Sequence, residues 1–166
     1  MPAGAVGDVN SSARGSGARY NAGKAPLELL PLRVMAQSFG SSRDHGDAAA
    51  IVTLNRLGCW QETGEWHYLF QALNGMGDDV WEEAAKVFDY GRKKYAEWNW
   101  AKGMAWSIPT GCAARHLLAC IRGEETDPES GLSHRGHAAC NIIMLLTFAS
   151  TYPEGDDRPR MLNPDS

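Results

Sequence analysis

DDVWEEAAKVFDYGRKKYAEW, residues 78–98, is the stretch that decides the fold. Val80, Ala84, Val87, Tyr90/Gly91 and Lys94/Tyr95 recur at the three- and four-residue steps that put side chains on one helix face. Acids lead the segment and lysines trail it, which complements the helix dipole at both ends. Downstream, TGCAARHLLACIRG (110–123) reads as a helix with Thr110 as N-cap and Gly123 just past its end. SHRGHAACNIIMLLTFASTY (133–152) reads as another, opening at Ser133 and stopping before Pro153. Upstream, DAAAIVTLNRL (47–57) predicts a helix with Asp47 as N-cap and Gly58 as its stop, and EWHYLFQAL (65–73) a short one. GCWQETGEW between them fits a turn or a short hairpin, because Gly58 and Gly64 bracket it. There is no internal repeat and no convincing strand run. The expectation is an all-α bundle of four or five helices.

The chain has 166 residues, which suits one domain with a sizeable core. Residues 1–18 (MPAGAVGDVNSSARGSGA) carry almost no large apolar side chain, so a flexible tail is expected there. A single domain is expected over 19–160 and a second tail over 161–166. Pro26 and Pro31 favour an extended or turn-like entry, with Leu27, Leu29, Leu30 and Leu32 docking on the core. A net charge of −4 speaks against broad nucleic-acid binding. None of the four cysteines (Cys59, Cys112, Cys120, Cys140) has CxxC spacing. Cys112, Cys120 and Cys140 read as small buried hydrophobes of a reducing compartment, with a zinc site as the sharper alternative. No membrane span or signal core is expected, and the location expected is the cytoplasm.

The chemistry concentrates in GEETDPESGLSHRGHAACN, residues 123–141, with Glu124, Asp127, Glu129, His134, His137 and Asn141. Hard divalent cations want several oxygen ligands, and this run offers them; a polar turn leading into a core helix is the plainer alternative. On the 78–98 helix, Asp79 and Glu82 lie three apart on one face, suited to a shared metal or to an acidic, solvated helix start. Glu124-x-x-Asp127 is the second acid pair. Two such pairs on facing helices could hold two or more ions on a triphosphate, activating a water and shielding the leaving phosphates. Lys93, Lys94, Lys102, Arg115 and His116 supply candidate phosphate contacts. Arg115 in an apolar helix needs an acid or a phosphate as partner. His134, His137 and Asn141 are candidate ligands, orienting donors or satisfied core groups. Trp98, Asn99, Trp100 and Trp106 are candidates for stacking on a base and reading its edge.

The order RYNAGK, EEAAKVFDYGRKKY, NWAKG, RHLLACIRGEETDPESGLSHRGHAACN and a late DDRP resembles the phage MazG-like nucleotide pyrophosphohydrolases of the MazZ type, the dATP/dGTP diphosphohydrolases. The resemblance covers Arg19–Lys24 and most of 78–160. It implies an all-α fold and hydrolysis of dGTP or dATP to monophosphate and pyrophosphate with Mg²⁺ or Mn²⁺, two or more ions per site, in remodelling of a phage nucleotide pool. It further implies Asp79, Glu82, Glu124 and Asp127 as metal ligands, with Glu82, Glu124 and His137 catalytic. Asn21, Lys24, Lys94, Asn99, Trp100, Lys102, Arg115 and His116 are implied as substrate-binding. The second acid pair lies further along than the usual spacing. Residues 33–77 have no counterpart in the shorter relatives and look like an insertion over the base or at an oligomer contact. Implied partners are purine deoxynucleoside triphosphates and a second copy of the chain in a dimer or tetramer, with neither nucleic acid nor membrane. A regulator that binds a triphosphate without cleaving it is the alternative.

Overall fold

In the computed structural model, which describes residues 5–40 and 47–163, the decisive segment forms a helix over Val80–Lys94, with Val80, Ala84 and Val87 buried. It is the fourth of six α-helices among the described residues: α1 Leu32–Gly40, α2 Ala48–Thr63, α3 His67–Gly75, α4 Val80–Lys94, α5 Ser107–Ile121 and α6 His134–Thr151. The architecture is all-α, as the periodicity requires. α6 packs on both α5 and α4, and α2 joins α1, α3 and α5. Trp60, Leu54, Leu57, Leu117, Ile142, Leu145 and Phe148 fill the space between them. No helix among the described residues is long and apolar enough to cross a membrane.

Several expected boundaries move, each for a local reason. Gly58 does not stop α2. The helix runs on to Thr63 and is capped by Gly64 at φ 73°. Gly58 serves contact instead: a Cβ there would lie 2.3 Å from the Arg33 backbone nitrogen, so only glycine lets α1 approach α2 this closely. The turn or hairpin read over 58–66 is therefore mostly helix, with Trp60 fully buried. The proline-led entry holds for a single 3-10 turn at Leu27–Leu29; α1 then starts directly after Pro31, an additional helix beyond the expected four or five. Thr110 is not an N-cap. α5 begins three residues earlier, and the Thr110 hydroxyl donates to the Trp106 carbonyl at 2.7 Å. Asp47 and Ser133 are the caps expected, accepting from the Ala50 and Gly136 amides at 2.9 Å each.

The flexible tail read over 1–18 is not what residues 5–18 form. Ala5–Val6 (β1) pairs antiparallel with Arg19–Tyr20 (β2). Lys102 donates to the carbonyls of Asp8 and Ser11 at 2.9 and 2.7 Å, and Asn99 grips both backbone groups of buried Ala18. Low hydrophobicity did not decide the matter, because backbone hydrogen bonds hold this strap in place. Residues 1–4 of that tail, 41–46 of the expected insertion and 164–166 of the C-terminal tail lie outside the described residues. The described part of 33–77 forms α1 to α3, whose apolar faces enter the main core.

Candidate active site

The DPESG run folds back on itself between α5 and α6. Thr126 and Ser133 form a bridge, the Asp127 N–H donates to the Leu132 carbonyl and the His134 N–H to the Glu125 carbonyl, both at 2.8 Å. Gly131 closes the reversal at φ 73°, a region open to glycine. The Asp127 carboxylate then accepts from both the amide and the hydroxyl of Ser130, each at 2.9 Å. The segment is a tight polar turn, and the turn has a purpose. It holds Asp127 against the imidazoles of α5 and α6.

His134 and His137 of α6 look toward His116 of α5, and Asn141 follows one turn on from His137, to whose carbonyl it donates at 2.8 Å. His116 Nδ1 is 2.9 Å from His134 Nδ1, and the His116 ring stacks on His137 at 4.4 Å and 11°. His137 Nε2 sits 2.7 Å from the Ser130 hydroxyl oxygen. Burial takes the imidazoles of His116 and His137 from 6.5 down to about 4, and burial first, then His116, lowers His134 as well. For Asp127, burial pushes upward but the Ser130 donors and the neighbouring imidazoles outweigh it, so the carboxyl stays below its usual value. These states fix the protons. Ser130 Oγ already receives the Leu132 amide at 3.2 Å and must donate to an ionised Asp127, so His137 donates from Nε2.

Beside this cluster lies a cavity of about 660 Å³, within the usual range for a small-molecule site. Its lining is of two kinds. One is aromatic: Phe88, Trp100 and Trp98 follow one another with ring centroids 5.0 and 6.0 Å apart. Trp98 is 72% exposed and holds φ +55°, a conformation that bulky residues rarely adopt. The other is polar: Arg19, Lys24, Lys94, His116, Asp127, Glu129, His137 and Asn141. Lys94 and Lys24 share Glu129, at 2.8 and 3.7 Å. Arg19 is different. It is half-buried, and among the described residues its hydrogen bonds all go to neutral groups: Asn141 Oδ1 at 2.9 Å, Cys112 Sγ at 3.4 Å and Met144 Sδ at 3.2 Å.

The sequence-derived residues divide accordingly. Lys24, Lys94, Asn99, Trp100, His116, Asp127 and His137 come together around the cavity. Arg115 does not; it spends its guanidinium on the Asn21 side chain and the Ala25 carbonyl, both at 3.2 Å, pinning the RYNAGK loop. Lys102 likewise holds the strap. Asp79 is committed to Arg135 at 2.9 Å, Glu82 is exposed at the opposite end of α4 from Lys94, and neither lines the cavity. Glu124 is exposed, 3.8 Å from His134 Nε2. Among the described residues the one group of three potential ligands whose atoms fall within 4.8 Å of one another is His116, Asp127 and His134. A centre for two hard ions on Asp79, Glu82, Glu124 and Asp127 does not fit this structure. Arg19, Tyr95, whose hydroxyl accepts from the Tyr20 amide at 3.1 Å, and Ser130 were missed in the sequence. Arg19 alone carried a signal, as the leading residue of RYNAGK.

The lining and the fold agree with what comparison finds. A dATP/dGTP diphosphohydrolase of Salmonella phage PMBT28 is 32% identical over 77 residues, 46% of this chain and 26% of that relative, so the chain spans about a quarter of the length of the curated relative it matches. No solved structure matches it. The family model described as dATP/dGTP diphosphohydrolase, N-terminal, matches residues 71–158, which takes in α4, α5, α6 and the DPESG turn and leaves out the strap, α1 and α2. That match covers more than half of the 166 residues, and the chain therefore belongs to the dATP/dGTP diphosphohydrolase N-terminal family.

Proposed function

We propose that this chain hydrolyses purine deoxynucleoside triphosphates, dGTP and dATP, to the monophosphate and pyrophosphate, in remodelling of a phage nucleotide pool. The single observation that carries the reading is Arg19. A half-buried guanidinium in a cavity with only neutral partners is a costly arrangement unless an anion completes it. Lys24 and Lys94 stand in the same cavity on one carboxylate between them, which leaves positive charge for a polyphosphate. The Trp98–Trp100–Phe88 set offers faces to a base, and stacking tolerates either purine. A need for a divalent cation belongs to the same reading. What the chain's own groups contribute is binding, orientation and a dry, preorganised wall: Asn141 links Arg19 to the His137 carbonyl, and Ser130 ties His137 to Asp127.

Incubation with each deoxynucleoside triphosphate and a divalent ion, with products resolved by chromatography, tests this. Monophosphate with pyrophosphate supports it; tight binding without products turns the reading toward a regulator. Hydrolysis in ¹⁸O-labelled water should leave the label in the monophosphate. Label in pyrophosphate means attack at the β-phosphorus and overturns the proposed cleavage.

A further inference from the structure

We propose that His116, Asp127 and His134 form a site for one imidazole-preferring divalent ion, of the Zn²⁺ or Co²⁺ class rather than Mg²⁺, with Glu124 as a positioning residue behind His134. Three observations carry it. First, the donor set is two imidazoles and one carboxylate drawn from α5, the DPESG turn and α6, with the ligand atoms within 4.8 Å of one another. Nitrogen donors suit transition ions and are poor partners for Mg²⁺. Second, the spacing is close to what an ion needs: at a metal–nitrogen distance of about 2.1 Å, two nitrogens placed tetrahedrally about one ion stand about 3.4 Å apart, and His116 Nδ1 and His134 Nδ1, 2.9 Å apart, have only about half an ångström to open.

Third, His134 is left incomplete as it stands. Its side chain is buried, and its Nε2 has no hydrogen-bond partner whichever nitrogen carries the proton. An ion on Nδ1 forces the proton onto Nε2, where the Glu124 carboxylate waits 3.8 Å away, short of a hydrogen bond but within reach of a side-chain rotation. A carboxylate behind a metal-bound histidine fixes its tautomer and ring orientation. Ser130 performs the matching service for Asp127, holding the carboxylate by Oδ2 with two donors. Asp127 and His116 also line the cavity, so an ion here stands where a phosphate can reach it. The site deepens the hydrolase reading and rests on it only for the ion's use in turnover; occupancy is a separate measurement.

The test is equilibrium dialysis of chelator-stripped, full-length protein against Co²⁺ or Zn²⁺ alone, with bound metal counted by mass spectrometry and Co²⁺ followed by its visible absorption. One ion per chain is expected, undisplaced by a large excess of Mg²⁺. Asp127→Asn and His134→Ala should each weaken binding at least tenfold, with His134→Gln and circular dichroism guarding against a misfolded variant. Glu124→Gln should weaken it about tenfold, and Glu82→Gln should leave it unchanged. Binding that survives the Asp127 and His134 substitutions, or that is lost in Glu82→Gln, overturns the site. If Co²⁺ binds as expected and no triphosphate is cleaved, the site stands and the hydrolase reading fails. If triphosphate is cleaved with Mg²⁺ and Co²⁺ does not bind, the reverse holds.

Discussion

Arg19 and Arg115 look alike in the sequence and do different work. Arg115 is satisfied by Asn21 and the Ala25 carbonyl, whereas Arg19 reaches into the cavity with neutral partners only. Arg19→Gln should raise KM for dGTP by roughly ten- to a hundredfold, the scale of a lost charge-assisted hydrogen bond, and raise the monophosphate's inhibition constant less. Arg115→Ala should instead lower Tm by a few degrees, with any KM effect following from a loosened RYNAGK loop. Steady-state kinetics beside thermal melts separates the two. The histidines allow a second prediction, for chelator-stripped protein. Burial holds His116 and His137 down at about 4 when folded, against 6.5 for a free imidazole; Asp127 pulls them up, while Arg19, with Arg115 and Lys24 beside His116, pushes them further down. Between those values the unfolded chain binds protons that the folded chain refuses, so stability falls as pH drops from about 6.5 to 4 and is insensitive to these groups above that window. Urea melts across pH 4 to 8 read it directly; a flat profile contradicts the neutral cluster. At this scale His116, Asp127 and His137, singled out from the sequence, line one cavity. The sequence could not place Arg19 there, because its partners Cys112, Asn141 and Met144 lie more than ninety residues away.

Among the elements, α4, α5 and α6 were legible because their apolar spacing is local, although α5 starts ahead of the Thr110 read as its cap. α1 and the second half of α2 were not. Gly58 has the sequence signature of a helix end, and what overrides it is the α1 backbone, a partner no window of sequence contains. Gly58→Ala should therefore do the opposite of what helix propensity suggests. Although alanine is the better helix former, the added methyl meets the Arg33 backbone, and the cost should be about 1–3 kcal/mol in chemical denaturation. A stabilised Gly58→Ala protein argues against the close α1–α2 approach. The first acid pair is a related case. Three-residue spacing does not say which face an acid takes: Arg135 of α6 holds Asp79 and Glu83, Glu82 is exposed, and neither Asp79 nor Glu82 lines the cavity.

Across the whole molecule, the strap of residues 5–18 holds the Ala18–Arg19 edge of the cavity in place. The Gly15 and Gly17 N–H groups donate to the Lys102 and Gly103 carbonyls at 2.7 and 2.8 Å, and Asn99 fixes Ala18 beside Arg19. Deleting residues 1–17 should leave helical content unchanged by circular dichroism yet raise KM for dGTP at least about tenfold, since Arg19 loses the anchor that aims it. Unchanged kinetics would mean that Arg19 is held from α5 and α6 alone. The strap also reaches the far end of the chain: Arg14 pairs with Glu154 and donates to the Thr151 carbonyl, a contact spanning 137 positions. Such a closure has a consequence in time. A ribosome releases Arg19 long before α6 and Thr151, and a loop of that length closes only after both of its ends are free. The nascent chain therefore carries its helices before it carries a working cavity, and nucleotide affinity should emerge late and abruptly during synthesis, with the seating of the strap as its final event.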